Sequence, residues 1–404
     1  MALLADSPHE TAERLIAAGV EIAREEGLAA VTARSLAVRT GASPSALNYH
    51  LGGREALVGH IASHALAAAA DWRAVRRGEL GDETGAPVWL SAVGGMAAIV
   101  GDRVSAFRTW SLLFSELEME AEAKQDGVLA HKLADEARAT TTFWSEAAGL
   151  LGESPEMAEI WADLCDGLVQ LLLGDEAAAA KTPWIIDAAD RTHARLRRAP
   201  IAPLVERSID TLERLTAPRP TSEGANRLID AALRVIADKG AERLTLREVA
   251  AAAGLSLAAT TYFFKSKAGL VSAAFHELHR QVREQALAEA DNAGRTMLRS
   301  ALEDEDETRS WRVRAMEALQ MSSARDRSLA PLAREFRATR GTTSIRWLRA
   351  MGLEVDRLDA FVYSTAMSGV VHRTRFASAT DRREAVAKAE KRLLGELFGV
   401  RTSP

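Results

Sequence analysis

The sequence predicts an all-α protein that contains the same structural unit twice in one chain. Segments that begin at Thr11 and Gly224 align over 49 positions without a gap, at an offset of 213 residues. Alanine- and leucine-rich stretches follow each copy, at about residues 54–215 and 267–399, and they show no strand-like alternation. Because two copies with so long a period cannot form a solenoid, the repeat indicates a duplicated domain.

The first two predicted helices of the repeated segment are separated by a glycine in both copies. The first helix has apolar residues at helical spacing. Gly27 in the first copy and Gly240 in the second follow at the position where a left-handed residue ends a helix. Thr32 and Thr245 are suited to cap the second helix. In the second copy Glu248 completes a capping box, whereas Ser35 is expected to be too short to do so in the first.

The second and third predicted helices are joined by a short glycine turn. Gly41 and Gly254 break the second helix after about two turns, and Ser43 and Ser256 are the expected N-caps of the third helix. Two short helices around such a turn are typical of a helix-turn-helix, whose second helix enters the major groove of DNA. A glycine between helices also occurs in ordinary bundles, so the turn alone leaves both interpretations open.

The outward face of the third helix favours DNA binding, because its residues are small or polar and include no Glu or Lys. Small side chains approach base edges closely, and Asn or Thr can bond to them. The residues predicted to read bases are Ser45, Asn48 and His50 in the first copy and Ala258, Ala259 and Thr261 in the second.

Both segments resemble the DNA-binding domain of the TetR (tetracycline-repressor) family of transcriptional regulators. The resemblance lies in "TARSLAVRTGASPSALNYHLGGREAL" and "TLREVAAAAGLSLAATTYFFKSKAGL", which share the family's Thr, glycine-serine turn and tyrosine-containing recognition helix. The first copy departs from the pattern at Leu51, where an aromatic residue is usual, and at Arg54, which replaces a lysine. The second copy has Phe263 where histidine is common.

Motif position predicts a set of DNA phosphate contacts in each copy. Hydroxyl groups and cations can bind phosphate oxygens. In each copy they occur at the start of the second helix, at the recognition tyrosine and near the start of the fourth helix. The predicted residues are Thr32, Arg34, Tyr49 and Arg54 in the first copy and Thr245, Arg247, Tyr262, Lys265 and Lys267 in the second.

The resemblance implies a helical regulatory domain after each DNA-binding domain. We therefore predict DNA-binding domains at 1–58 and 225–271, regulatory domains at 59–215 and 272–404, and a Pro- and Gly-containing linker at 216–224. The first regulatory domain includes two extra connecting helices, at about 184–198 and 203–215. Members of this family usually bind a small molecule in this domain, and Trp110 and Trp144 are the candidate pocket residues here.

In this family the last two long helices of each subunit form a four-helix dimer interface. The sequence predicts that the two halves pair in this way within one chain, as a pseudo-dimer. The small residues Gly167, Ser364, Ser368 and Gly369 would allow the helices to approach closely. Because the two recognition helices differ at nearly every exposed position, we expect an asymmetric operator with two unlike half-sites.

Charge differs between the two DNA-binding segments. Residues 1–62 contain 7 acidic and 5 basic residues, a net charge of −2, whereas residues 219–280 contain 6 acidic and 9 basic residues, a net charge of +3. The second segment therefore has the better electrostatic complementarity to phosphate.

Other classes of site find little support in the sequence. The lone cysteine, Cys165, lies in an apolar helical run and is interpreted as a core residue. Pairs of histidines occur at His60 and His64 and at His276 and His279, but neither pair has a third ligand at a suitable spacing. Without a phosphate-binding loop, a nucleophile motif, an apolar spanning segment or a secretion signal, we predict a cytoplasmic non-enzyme with no metal, cofactor or membrane association.

The predicted function is that of a DNA-binding transcriptional regulator, a repressor released by a small effector, whose partner is double-stranded operator DNA. A dimer of such chains on a longer operator is one alternative. Another is a helical sensing or interaction protein in which only the second helix-turn-helix still binds DNA.

Overall fold

The computed structural model describes residues 8–81, 91–174, 176–201, 204, 220–290 and 311–400, and in these ranges the chain is all-α apart from two short 3-10 turns. The predicted fold class is therefore confirmed. The helices of the first half are α1 Pro8–Glu26, α2 Ala33–Thr40, α3 Ala46–Leu51, α4 Arg54–Gly81, α5 Ala92–Arg103, α6 Arg108–Lys124, α7 Gly127–Leu150, α8 Pro155–Leu171 and α9 Ala178–Leu196.

The second half contributes the remaining helices in the same general order. They are α10 Glu223–Lys239, α11 Leu246–Ala252, α12 Leu257–Phe263, α13 Lys267–Ala290, α14 Trp311–Arg325, α15 Ala330–Thr339, α16 Thr342–Ala350, α17 Arg357–Arg373 and α18 Ala379–Phe398. The long helix α7 of the first half corresponds in order to two shorter helices, α15 and α16, with Gly341 in a left-handed conformation (φ 79°) between them.

Two sequence predictions about helix starts in the first half are wrong. Ser35 does complete a capping box, because its Oγ accepts a hydrogen bond from the Thr32 amide at 2.9 Å. Ser43 does not cap α3, which begins later with Ser45 at its N-cap position and without a side-chain capping bond. The Ser43 hydroxyl instead lies 3.0 Å from the Ser45 hydroxyl. Because α3 begins only at Ala46, the first recognition helix is short.

Two long helices cross the predicted domain boundaries. α4 begins at Arg54 and α13 at Lys267, and each continues without interruption from the three short helices of its repeat into the helical part that follows. Residues 58 and 271 therefore lie inside helices, since a boundary drawn from the end of a sequence motif does not mark a break in the backbone. The linker is described only from Pro220, and α10 begins at Glu223.

Four helices, α8, α9, α17 and α18, pack together, and α8 and α17 form the most extensive contact. A Cβ atom at Gly167 would overlap the carbonyl oxygen of Thr365, and one at Gly369 would overlap that of Asp163. The prediction of close approach at these two glycines is thus confirmed. At the other two small residues, the backbone carbonyl of Ser364 and the hydroxyl of Ser368 accept hydrogen bonds from Arg340, and their part in the close approach stays a prediction.

Buried ion pairs join the two halves across this bundle. Asp163 of α8 is fully buried and accepts hydrogen bonds from Arg373 and, at 2.5 Å, from Arg392. In the opposite direction, Asp359 of α17 accepts a hydrogen bond from Arg195 Nε of α9 at 2.9 Å. Losing either partner would leave a buried charge uncompensated, which makes these pairs strong determinants of how the helices align.

The helix expected at 184–198 is α9, and it is part of the bundle rather than an extra connection. α9 and α18 each pack beside the α8–α17 pair. The helix predicted at 203–215 lies outside the described residues apart from Leu204.

The apolar core is divided unequally. One cluster runs from the first DNA-binding segment through the first half and includes residues of α17 and α18, such as Val370 and Leu393. A second cluster lies beneath α10–α12 and includes Phe275 and Leu319. The end of the second half is thus built into the core of the first half, whereas the second DNA-binding segment has a core of its own.

Candidate nucleic-acid interface

We refer to residues 8–58 as the first head and to residues 223–271 as the second head. In the second head, Ser256 Oγ accepts a hydrogen bond from the Ala259 amide at 3.1 Å, which begins the recognition helix α12. Ala258 and Thr261 are exposed, while Thr260 is fully buried on the inner side of the helix. Small residues on an exposed helix face allow the backbone to approach base edges closely.

The recognition helix of the first head, α3, exposes a different surface. Asn48 is exposed and His50 is half-buried, and both lie within the helix. Ser45 is exposed but precedes the helix as its N-cap residue. The structure therefore brings Asn48 and His50 together on one short helix and places Ser45 at its entrance.

The two recognition tyrosines occupy matching positions. The side chains of Tyr49 and Tyr262 are among the most exposed large residues of the described chain, at 82% and 80% of full exposure. Each ring lies edge-on to the following ring, Tyr49 to His50 at 4.9 Å and Tyr262 to Phe263 at 5.1 Å between centroids. A phenol held clear of the surface in this way suits a hydrogen bond to a phosphate oxygen.

Several of the predicted phosphate ligands are available to DNA. Arg34, Arg247 and Lys265 are exposed and have no hydrogen-bond or ion-pair partner among the described residues. Thr32 and Thr245 use their hydroxyl oxygens to cap α2 and α11, with bonds of 3.0 and 3.2 Å from the backbone amide three residues on. The caps thus satisfy the amides of Ser35 and Glu248 within the protein, while the dipole of each helix favours an anion near its N-terminus.

Arg54 and Lys267 are already bonded within the protein. Arg54 donates to Glu120 at 2.5 Å and to the Leu28 carbonyl at 3.3 Å. Lys267 donates to the Glu242 carbonyl at 2.6 Å. Both cations thus bond the start of a long helix to the rest of its head: Arg54 does so for α4, and Lys267 for α13. Their positions in the motif do not predict this role.

Two carboxylates of α6 connect the heads to the regulatory part, and sequence reasoning missed both. Glu120 accepts hydrogen bonds from Arg54 of the first head and from Arg243 of the second, at 2.5 and 2.6 Å. Glu116 accepts bonds from the Leu28 amide at 2.6 Å and from Arg325 of α14 at 2.7 Å. A cleft of about 710 Å³ opens beside these residues, between the first and second heads.

Arg325 crosses between the two halves as well. Its Nη1 donates to the carbonyl of Arg24 at 2.9 Å, and its Nη2 donates to that of Ala23 at 3.3 Å. These carbonyls belong to the last turn of α1, where orphan acceptors and the helix dipole favour a cation. Together with Glu120, this contact fixes the first head relative to the second half of the chain.

The acidity of Glu120 reflects these contacts. Burial raises the pKa of its carboxyl, but the hydrogen bonds and positive charges of Arg54 and Arg243 outweigh burial and lower the pKa to about 2, below its ordinary value of 4.5. Because the folded pKa is the lower one, the stability that this charge supplies is present at neutral pH and is lost as the pH falls from about 4.5 toward 2.

We therefore expect Glu120→Gln to lower stability in a pH-dependent manner. The gap in urea midpoint between the native protein and the variant should be widest at neutral pH and should narrow at about pH 3, where the unfolded carboxyl is protonated. Glu55→Gln is the matched control, because Glu55 is 85% exposed and pairs only with Lys124. An equally wide gap at both pH values would show that the charge of Glu120 is not what stabilises the heads.

The charge of the first head is partly neutralised within the protein. Arg39, in the last turn of α2, pairs with Glu21, Glu25 and Glu26 of α1 at 3.1 to 3.4 Å. These pairs are exposed and hold α1 and α2 together only weakly. They nevertheless surround one of the few cations of the head with carboxylates, in keeping with the negative net charge counted from the sequence.

The two candidate pocket tryptophans lie in different surroundings. Trp144 is fully buried in α7, lines a cavity of about 60 Å³, and donates a hydrogen bond from Nε1 to Asp166 at 2.8 Å. Trp110 does not line that cavity. Its ring lies against Arg24 of α1, with the guanidinium carbon 4.4 Å from the ring centroid, so it belongs to the contact between α6 and the first head.

Within the part of the chain that the structure describes, no helix is long and apolar enough to cross a membrane. The same residues contain no cluster of three or more His, Cys, Asp or Glu side chains placed to hold a metal ion. His276 lies 3.0 Å from Glu335, and burial lowers the pKa of His279 to about 4.

Comparisons with known proteins give one family match within the second half of the chain and two further similarities. The family model for bacterial regulatory proteins, tetR family, matches residues 228–274. Over 61 residues the chain is 43% identical to the HTH-type transcriptional regulator BetI of Rhizobium meliloti (strain 1021), a match that spans 15% of this chain and 30% of that protein. A solved structure of the multidrug binding protein EbrR complexed with imidazole aligns with 46% of this chain at 22% identity, over all of its own length, with a TM-score of 0.32.

Proposed function

We propose that the chain is a DNA-binding transcriptional regulator of the cytoplasm and a member of the tetR family of bacterial regulatory proteins, whose family model matches residues 228–274. The observation that carries the proposal is the second head. Its recognition helix exposes small residues and Tyr262, and unpartnered cations lie at Arg247 and Lys265. A recognition helix of this kind reads bases, while the surrounding cations bind the backbone.

We further propose that one chain reads two unlike half-sites. The matched positions of Tyr49 and Tyr262 and of Arg34 and Arg247 support a second DNA-binding surface on the first head. The packing of α8 against α17 supports an arrangement in which the two halves act as the two subunits of a dimer. Two weak half-site contacts held in one molecule bind together through a high effective concentration.

The proposed regulator is a repressor that a small effector releases, and α6 is the element that would transmit the signal. Glu118 of α6 lines the cavity beside Trp144, and it lies 2.9 Å from His372. Glu116 and Glu120 lie on either side of it in sequence and line the inter-head cleft. Glu120 accepts hydrogen bonds from both heads, and Glu116 accepts them from the first head and from α14. A small displacement of one rigid helix by a ligand would therefore change the spacing of the heads.

A second candidate function keeps only the second head as a DNA reader. It is favoured by the family match, which lies in that head, and by the carboxylates around Arg39 in the first head. In that case the first half would be a helical sensing or interaction module that is attached to a DNA-binding domain.

The stoichiometry of the DNA complex tests the proposal. We expect a single chain to saturate a duplex that holds one complete operator, as measured by native mass spectrometry or by sedimentation at one stated salt concentration. Two chains on each minimal operator would instead support a conventional dimer of this chain, and failure to bind any duplex more tightly than a random one would contradict the proposal.

A further inference from the structure

An unpaired arginine lies in the wall of the cavity beside Trp144. Arg103, in the last turn of α5, is 6% exposed, and its Nη1 atom has no hydrogen-bond partner among the described residues. Burial of a guanidinium nitrogen without an acceptor is costly, because the donor loses its hydrogen bonds to water. Burial also lowers the pKa of Arg103 to about 10, so the group remains charged at neutral pH.

Aromatic rings hold the guanidinium in place. Its central carbon lies 4.6 Å from the ring centroid of Trp72 and 4.4 Å from that of Phe107. Trp72 is itself fixed, since its Nε1 donates to Asp102 at 2.7 Å. Cation–π contacts favour the charged form and restrict its rotation. The Nη1 donor of Arg103 is therefore held in place without an acceptor among the described residues.

The other charged groups in the cavity wall already have partners. Glu136 accepts a hydrogen bond from Arg73 at 3.0 Å, and Glu118 accepts one from Arg375 at 2.5 Å. Asp166 accepts bonds from Trp144 and from Thr141, the latter at 3.2 Å. The remaining cation, Arg373, donates to Asp163.

The cavity also sets the size of an occupant. Its volume of about 60 Å³ is roughly two-fifths of the cavity of about 150 Å³ that accommodates benzene in a protein core. The lining also includes the apolar side chains of Phe114, Leu133 and Val169. A molecule with a short apolar body and one anionic end fits this combination.

We propose that Arg103 binds the carboxylate of a small monocarboxylic acid, of about two to four carbon atoms, and that this acid is the effector. A guanidinium presents its N–H donors in a fork that matches the two oxygens of a carboxylate. The site draws on both halves, because His372 and Arg373 of α17 line the cavity together with residues of α5–α8. This assignment rests on the proposed function for the effector role, but the binding itself does not depend on DNA.

Binding is tested on the full chain without DNA, with propionate as the probe and propionamide as its neutral counterpart. We expect propionate, at millimolar concentrations and constant ionic strength, to change the intrinsic tryptophan fluorescence and to raise the melting temperature, because Trp72 and Trp144 adjoin the site. Propionamide should do neither. Equal effects of both molecules, or none from propionate, acetate or butyrate, would overturn the proposal.

Two variants locate the site. Arg103→Met should weaken propionate binding at least about tenfold, as expected for the loss of a charged hydrogen bond, while Arg138→Met should not, because Arg138 is 69% exposed on the outer face of α7. Ala137→Leu is an independent test in case Arg103→Met fails to fold, since Ala137 lines the cavity and the added atoms would fill it. Unchanged propionate binding in Ala137→Leu would contradict the location.

The same probe separates this proposal from the proposed function. If propionate binds through Arg103 and also releases the chain from its selected duplex, the result supports both the carboxylate site and the proposed function. If the chain binds no duplex selectively, the proposed function fails while the carboxylate site stands. If propionate binds but leaves DNA affinity unchanged, the effector role of the acid is overturned.

Discussion

Tyr262→Ala combined with Arg247→Ala is expected to lower the affinity of the chain for its complete operator by about 100-fold or more. The two side chains are exposed, and Arg247 has no partner among the described residues, so the changes should leave the fold intact. The reduction exceeds that expected from two phosphate-binding side chains alone, because one of two linked binding events is removed, and with it the effective concentration that links them. Fluorescence anisotropy with a labelled duplex measures this affinity.

The first head provides the matched variant. Tyr49→Ala with Arg34→Ala removes the equivalent side chains, and reading by both heads predicts a reduction in affinity of comparable size. Each double variant should also reduce the slope of log affinity against log salt by about one for every phosphate group that the variant no longer binds. A reduction confined to the second-head variant would contradict reading by two heads and would support the second candidate function.

Gly167→Ala is expected to destabilise the chain by about 3 kcal/mol, the upper end of the usual cost of overpacking. The added Cβ would overlap the carbonyl of Thr365, which is backbone and cannot rotate away, so α8 and α17 must separate. Because these helices join the two halves, the variant should also bind the operator more weakly. The urea midpoint, followed by circular dichroism, measures the first effect.

Gly59→Ala is the control for this substitution. It lies in the exposed part of α4 with no atom within 4 Å of an added Cβ, so alanine should raise stability by up to about 1 kcal/mol through helix propensity alone. If Gly167→Ala were as stable as the native protein, the close crossing of α8 and α17 would not be part of the folded state.

Local features of the fold could be predicted from the sequence, whereas contacts between distant residues could not. Thr32 and Thr245 cap their helices, and Gly27 and Gly240, predicted at positions that favour a positive φ, have φ of 98° and 79°, because such signals act over a few residues. The later start of α3 was missed, since Ser43 and Ser45 are equally plausible caps.

The residues that connect the heads show where sequence reasoning ends. Glu120 lies 66 residues from Arg54 and 123 from Arg243, and nothing in the local pattern of α6 distinguishes it from an exposed glutamate. Arg103 is likewise an ordinary arginine in the last turn of a helix until its surroundings are known. Trp110 and Trp144 were grouped because both are large and aromatic, but tryptophan occurs in helix contacts as well as in pockets.

Selection of bound duplexes from a random DNA pool, with the whole chain at one stated salt concentration, tests the central claim most directly. Reading by two unlike heads predicts two different half-sites at a fixed spacing, about one helical turn apart or slightly more. Substituting the predicted base-reading residues Asn48 in α3 or Thr261 in α12 should then change base preference at one half-site each. A perfect palindrome or a lone half-site would contradict the claim that a single chain reads both halves of its operator.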